Sequence, residues 1–275
     1  MHKRLFAALV AAALAVIPVT AALADDDGLS DVYVVHAVDG VEVDVWIEGY
    51  DGGPLLMGFK PGDTAMERVP PGEYTIGVYA AGTQGAEPPV ITWSGTVPPN
   101  ASVTLVAHRL PNPEIAPELA VFVNDVSPIA DGDARVTVRH TAAAPEVEVS
   151  PLGATFSIGQ ELGPVDVEAG VLPVGVGLPG DDPFFTADLD LAAGTAYFVH
   201  AYATDSQDVV GTFSPIIFAI DLEVEDAEEA PQPTGVHSGT GGLLNAGLPM
   251  WVSALLLLGA LGVAAPAVAT ATRRR

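Results

Sequence analysis

The chain has 275 residues, with 35 Asp or Glu against 10 Lys or Arg, a formal net charge of -25 and no cysteine. Five of those ten basic residues, Lys3, Arg4 and Arg273 to Arg275, stand at the two ends, so the body between them is more acidic still and repels nucleic acid, whose binding depends on neutralising phosphates with Lys and Arg. Without cysteine there can be no disulfide, no thiol catalysis and no cysteine-ligated metal.

At the start, His2, Lys3 and Arg4 precede an apolar run that ends in Ala22-Leu23-Ala24, a small-x-small site. That pattern predicts a secretory signal over residues 1–24, cut after Ala24. From Val32 to Ile47 the apolar residues alternate, with Asp39-Gly40 in between, which predicts two strands joined as a hairpin. "VPPGEYTIGVYAAG" (Val69 to Gly82) and "VPPNASVTLVAH" (Val97 to His108) each give a turn that feeds another alternating run, with Asn100 where the chain must turn. No stretch of the body carries apolar residues at helical spacing for three turns, so the body is expected to be all β.

The same blocks then recur. Val34, His36, Glu42, Val43, Asp44 and Val45 correspond to Val138, His140, Glu146, Val147, Glu148 and Val149 at one constant offset. Val69, Gly72, Ile76, Gly77 and Val78 correspond to Val167, Gly170, Val174, Gly175 and Val176, and Val97, Asn100 and Val103 to Leu191, Gly194 and Tyr197. Three blocks in one order signify two copies of one domain. The proline-rich "LPNPEIAPE" (Leu110 to Glu118) is expected to be a stiff linker between them. The second copy, from Glu118 to Leu222, is expected to fold by itself.

After Leu222 the sequence turns acidic and then rich in Pro, Gly, Ser and Thr, a composition that cannot bury a core and predicts a disordered stalk over residues 223–247. Residues 248–272 carry no charge, enough to cross a hydrocarbon core of ~30 Å as one helix at ~1.5 Å per residue. Arg273 to Arg275 would stay on the cytoplasmic side, which places the body outside. "PQPTG" (Pro231 to Gly235) is similar to a sortase sorting signal but has Pro231 and Gln232 where leucine and proline belong, so wall attachment at Thr234 is the lesser alternative to membrane retention.

The blocks "V-V-H-A" with "V-D-V", "V-P-P-G-x-Y-T" and the closing "V-P-x-N/G" strand resemble the bacterial exported family known as domain of unknown function 4397, over about Val32 to Leu222. The resemblance implies cell-surface β-sandwiches, often in tandem, with no established catalytic residues to carry over. The organisation expected is therefore two tandem Ig-like β-sandwich domains, 25–117 and 118–222, between the signal and the stalk, with one transmembrane helix behind. The second copy departs at Pro173 and Pro179, where "VLPVGVGLPG" replaces "EYTIGVYAAG"; these prolines predict an edge strand or a bulge.

His36 and His140 end alternating runs and share their apolar face, which predicts packed residues bonded to a nearby loop carbonyl; each copy offers no second histidine at ligand spacing. The pairs Glu42 with Asp44 and Glu146 with Glu148 alternate with valines, which predicts a solvated face, although two carboxylates on a strand are also what a glycosidase uses. "GVGLPG" (Gly175 to Gly180) has the letters of a dinucleotide fingerprint, but "DDPFF" follows where a helix must begin. Asp131-Gly132-Asp133 and Asp181-Asp182 lack the ligand ladder of a calcium loop and read as turns.

That leaves no catalytic, cofactor-binding or metal residue to name. Trp46, which shares the face of Glu42 and Asp44 and has Ser150 as its counterpart, is the one expected partner contact. The function expected is a non-enzymatic, single-span surface protein for adhesion, envelope structure or binding of an envelope or extracellular protein or glycan. The alternative is an exported hydrolase acting on envelope glycans through the paired acids.

Overall fold

The computed structural model describes residues 17–18, 28–49, 53–84 and 86–225. The rest of the expected signal with its cleavage site, the stalk beyond Glu225, PQPTG, the expected span 248–272 and the arginine tail lie outside the described residues. Among the described residues no helix is long and apolar enough to cross a membrane, and every regular element is a strand.

In chain order the first half holds β1 (Ile17–Pro18), β2 (Ser30–Ala37), β3 (Val43–Ile47), β4 (Leu56–Phe59), β5 (Thr64–Val69), β6 (Gly72–Ala80), β7 (Ile91–Val97), β8 (Ser102–His108) and β9 (Glu118–Val123). The second holds β10 (Ile129–Ala130), β11 (Asp133–His140), β12 (Val147–Ser150), β13 (Ala154–Phe156), β14 (Glu161–Glu168), β15 (Gly170–Gly177), β16 (Phe185–Leu191), β17 (Thr195–Ala201), β18 (Ile216–Asp221) and β19 (Val224–Glu225). They form a first outer sheet β4-β3-β6-β7, a first inner sheet β5-β2-β8-β9, a second inner sheet β1-β18-β17-β11-β14 and a second outer sheet β13-β12-β15-β16, with β10 and β19 as a separate short pair.

The ladders follow the sequence offsets. Ser30 faces Val69 and Ala134 faces Val167; Gly72 faces Val97 and Gly170 faces Leu191; Val45 faces Val78 and Val149 faces Val176. In each half the strand ending in the histidine pairs in parallel with a later one, β2 with β8 and β11 with β17. Asn100 turns the chain into β8 at φ 54°, and its counterpart Gly194 does so at φ 72°. This is the left-handed region where asparagine and glycine are least penalised.

Three apolar cores separate the four main layers. Val32, Val34, Val103 and Leu105 of the first inner sheet meet Val43, Val45, Ile76 and Val78 of the first outer sheet. Val136, Val138, Tyr197 and Ile217 meet Val147, Val149, Val176 and Leu189 in the same way in the second half. The third core lies between the inner sheets: Tyr33, Val35, Val106 and Phe122 pack against Ala196, Phe198, Phe218 and Ile220, with the Tyr33 and Phe218 rings stacked 4.7 Å apart. The central inner strands β2, β8, β11, β17 and β18 are therefore buried on both faces.

Several expectations are corrected here. Val32 to Ile47 is no hairpin, because Asp39-Gly40 carries the chain from the inner sheet to the outer one. "LPNPEIAPE" joins two antiparallel neighbours, His108 facing Glu118 in the β8–β9 ladder, and is no linker between domains. The boundary expected at 117/118 therefore falls after Val123, and Val224–Glu225, expected in the stalk, pairs with Ile129–Ala130. β15 lies inside its sheet and is not an edge strand. Pro173 is tolerated because β12 reaches only to Gly175, so at Pro173 the one neighbour is Asp188 of β16. A piece starting at Glu118 would carry β9 without β8 and expose the third core, so its independent folding is not expected.

Candidate functional site

The histidines sit where their strands end and tie the crossing loops. His36 Nε2 is 2.8 Å from the Val41 carbonyl and His140 Nε2 is 2.8 Å from that of Pro145, while the Gly62 and Gly159 N–H groups donate to the two histidine carbonyls at 2.8 Å. Burial lowers the pKa of both rings, the loop carbonyls opposing it, so both are neutral packing residues.

The acids do not share one solvated face. Glu42 is exposed, but Asp44 is 5% exposed and accepts the Gly58 and Gly82 N–H groups at 2.8 and 2.7 Å. Its counterpart Glu148, half-buried, accepts the equivalent Gly180 N–H at 3.2 Å. The second acid of each pair anchors the loop after the next strand. "GVGLPG" runs from the end of β15 into a turn, with no helix after it. Gly132, at φ 88°, turns the chain between β10 and β11. Among the described residues no three His, Cys, Asp or Glu side chains are grouped to hold a metal.

A second polar group lies in the third core, where sequence reading did not look. Arg139 is fully buried between the Phe122 and Phe198 rings, 4.7 and 4.9 Å from their centroids, with Nη2 donating to Asn124 Oδ1 at 2.9 Å and Nε to Glu161 Oε2 at 3.1 Å. Burial pulls its pKa down to about 10 against the pull of Glu161. Its ladder neighbour His200 is fully buried, and neither ring nitrogen makes a hydrogen bond. Burial first and the guanidinium second push His200 down to about 3. At the edge of this interface Asp39 takes the Arg109 Nε–H at 2.8 Å and both donors of Ser206 at 3.0 and 3.1 Å, so one carboxylate ties the two halves.

The surface that differs between the halves is the outward face of the first outer sheet. There Trp46 stands opposite Gly77, and a Cβ at Gly77 would lie 2.8 Å from the Tyr79 ring. The glycine leaves room for the tyrosine ring to lie over it. Trp46, Glu48, Tyr79 and Gln84 line an open groove of about 540 Å³ there. Trp46 is half-buried, with its Nε1 covered and unpartnered, so the indole presents carbon to the groove. A second depression of about 530 Å³ shares Glu48 and continues over Glu73, Thr75, Ser94 and Thr96.

The equivalent surface of the second half is built otherwise. Ser150, Gly175 and Gly177 replace Trp46, Gly77 and Tyr79, and Pro183 packs over the site, 3.1 Å from where a Cβ of Gly175 would be. Trp46 stands out in the sequence because it is unrepeated; Tyr79 is unrepeated too and could have been found by the same test.

Comparison with solved structures finds distant likenesses. "The Bacillus anthracis TIE protein" is 10% identical with a TM-score of 0.20, over 62% of this chain and 33% of its own, so this chain spans about a third of its length. "A putative cell adhesion protein from Bacteroides ovatus ATCC 8483" is 11% identical with a TM-score of 0.19, over 72% of this chain and 99% of its own. No curated protein matches. Residues 30–150, which run from β2 to the end of β12, match the family described as "Domain of unknown function (DUF4397)".

Proposed function

We propose that this is a non-enzymatic cell-surface protein, exported by its first 24 residues and held by the apolar span 248–272, in which two tandem copies of one β-sandwich module form a body that binds an envelope or extracellular partner through the first outer sheet. The observation that carries this is the asymmetry of the two outer faces: equivalent ladders present Trp46 and Tyr79 on one, and Ser150 and Gly177 under Pro183 on the other. Packing alone does not call for a half-exposed aromatic pair on a solvent-facing sheet, and such pairs mark contact surfaces. The rival reading, an exported hydrolase using the acid pairs, finds only one exposed carboxylate in each pair, Glu42 and Glu146, since Asp44 is committed to two backbone donors and half-buried Glu148 accepts the Gly180 N–H. An acid–base pair needs both groups free to reach substrate.

The test is sedimentation of the full chain, in mild detergent, with washed bacterial envelopes. The wild-type protein is expected to co-sediment, Trp46→Ala to stay largely in solution and Ser150→Ala to behave as wild type. Equal sedimentation of wild type and Trp46→Ala would overturn the proposal.

A further inference from the structure

The two depressions on the first outer sheet meet at Glu48 and make one furrow across β3, β6 and β7. One end offers ring carbon from Trp46 and Tyr79. The other offers hydroxyls, with Thr75 Oγ1 and Ser94 Oγ 2.9 Å apart and Thr96 alongside. Among the described residues no Lys or Arg lines either part, and the acids Glu48 and Glu73 do, so a phosphate, sulfate or uronate chain is repelled. A cationic ligand would use the acids and the rings but would have no use for Gln84, the Tyr79 hydroxyl or the Thr and Ser hydroxyls, which donate as well as accept. What uses all of them is a molecule with flat C–H faces and many neutral hydroxyls, long enough to lie over both depressions.

Resting on the surface-binding reading above, we infer that the furrow binds a neutral polysaccharide chain, with a sugar ring seated against Trp46 and Tyr79 and its neighbours along Thr75, Ser94 and Thr96. The same positions of the second half serve as an internal control. Glu48, Glu73, Thr75, Ser94 and Thr96 correspond there to Leu152, Val171, Pro173, Asp188 and Asp190, with Val171 67% exposed. That face lacks the hydroxyl row, with the acids Asp188 and Asp190 standing where Ser94 and Thr96 are, so it takes no chain.

The experiment is calorimetric titration of the full chain, in detergent, with hexasaccharides of β-1,4-glucose, α-1,4-glucose, β-1,4-mannose and N-acetylglucosamine, and with hexalysine as the cationic probe. At least one neutral hexasaccharide is expected to bind. Trp46→Ala and Tyr79→Ala should each weaken that binding about tenfold, the size of a lost aromatic contact, and Thr75→Val should weaken it less. Leu152→Ala should leave it unchanged. Melting curves check that the variants fold, and Trp46→Phe, which keeps a ring, should bind in between if Trp46→Ala does not fold. No binding by any hexasaccharide, or binding that survives loss of both rings, would overturn the inference, as would hexalysine binding that alone depends on Trp46. If envelopes are still bound through Trp46 while every hexasaccharide fails, the glycan falls and the surface-binding reading stands.

Discussion

Glu42 and Asp44 are two positions apart in sequence and have opposite fates: one side chain is in water, and the other is buried with both oxygens on backbone N–H groups. Alternation puts the pair on one side of the chain, but it says nothing of the loops that fold back over that side. Gly58 and Gly82, the two donors, come from the neighbouring strand β4 and from the turn after β6, and Gly58, at φ 60°, holds a conformation that L side chains avoid. A buried carboxylate that loses its donors, or donors that lose their carboxylate, cost about 1–3 kcal/mol. Asp44→Ala should therefore lower stability by about 2 kcal/mol in urea denaturation, and Glu42→Gln should stay within about 0.5 kcal/mol of wild type. Equal stability of the two variants would return Asp44 to the solvated face.

Among the elements, the strands and their repetition were readable because block spacing survives in the ladder registers, Ser30 on Val69 and Ala134 on Val167. The layering was not read, although it leaves a trace. "VYVVHA" in β2, "AYFVHA" in β17 and "IIFAI" in β18 are apolar at odd and even positions alike, the pattern of strands buried on both faces. Reading Val32 and Val34 while passing over Tyr33 and Val35 gave one core per copy and missed the core between them. The missed core explains the burial of His200, whose ring stacks on Phe218, while His36 and His140 pack beside Phe59 and Phe156 in the outer cores. His36, His108, His140 and His200 are each at most 1% exposed, and burial lowers the pKa of each. The charged groups that act on them are Asp63 on His36, Glu118 on His108 and Arg139 on His200, and the two carboxylates only partly offset burial. Because the folded histidines are neutral while the unfolded chain takes up protons near pH 6.5, their contribution is complete above that pH and is lost as pH falls toward the folded values, about 3 for His200. Stability should fall from pH 7 to pH 4.5 at up to about 1.4 kcal/mol per pH unit for each histidine still neutral. His200→Phe should flatten that slope by about one proton's worth. A urea midpoint that does not move over this range would contradict the neutral assignment.

At the scale of the whole molecule, the two halves share one body, since the inner sheets bury each other's faces through Tyr33, Phe122, Phe198 and Phe218. Asp39 and Ser206 close its edge, and Arg139 fixes its register by reaching Asn124 across the interface. The outer faces of the two halves differ, with Trp46 and Tyr79 on one where Ser150 and Gly177 stand on the other. In a chain ending at Glu225 the only tryptophans, Trp46 and Trp93, lie in the first half, so their fluorescence reports that half alone. Phe218→Ala, made in the second half, removes a ring buried against Tyr33 and should cost about 3–5 kcal/mol. The most direct measurement is the urea midpoint of tryptophan fluorescence in Phe218→Ala beside that of hydrogen exchange in β12 and β15: a shared core predicts that both fall together and by the same amount, and a fluorescence midpoint left where it was would mean that the halves fold separately.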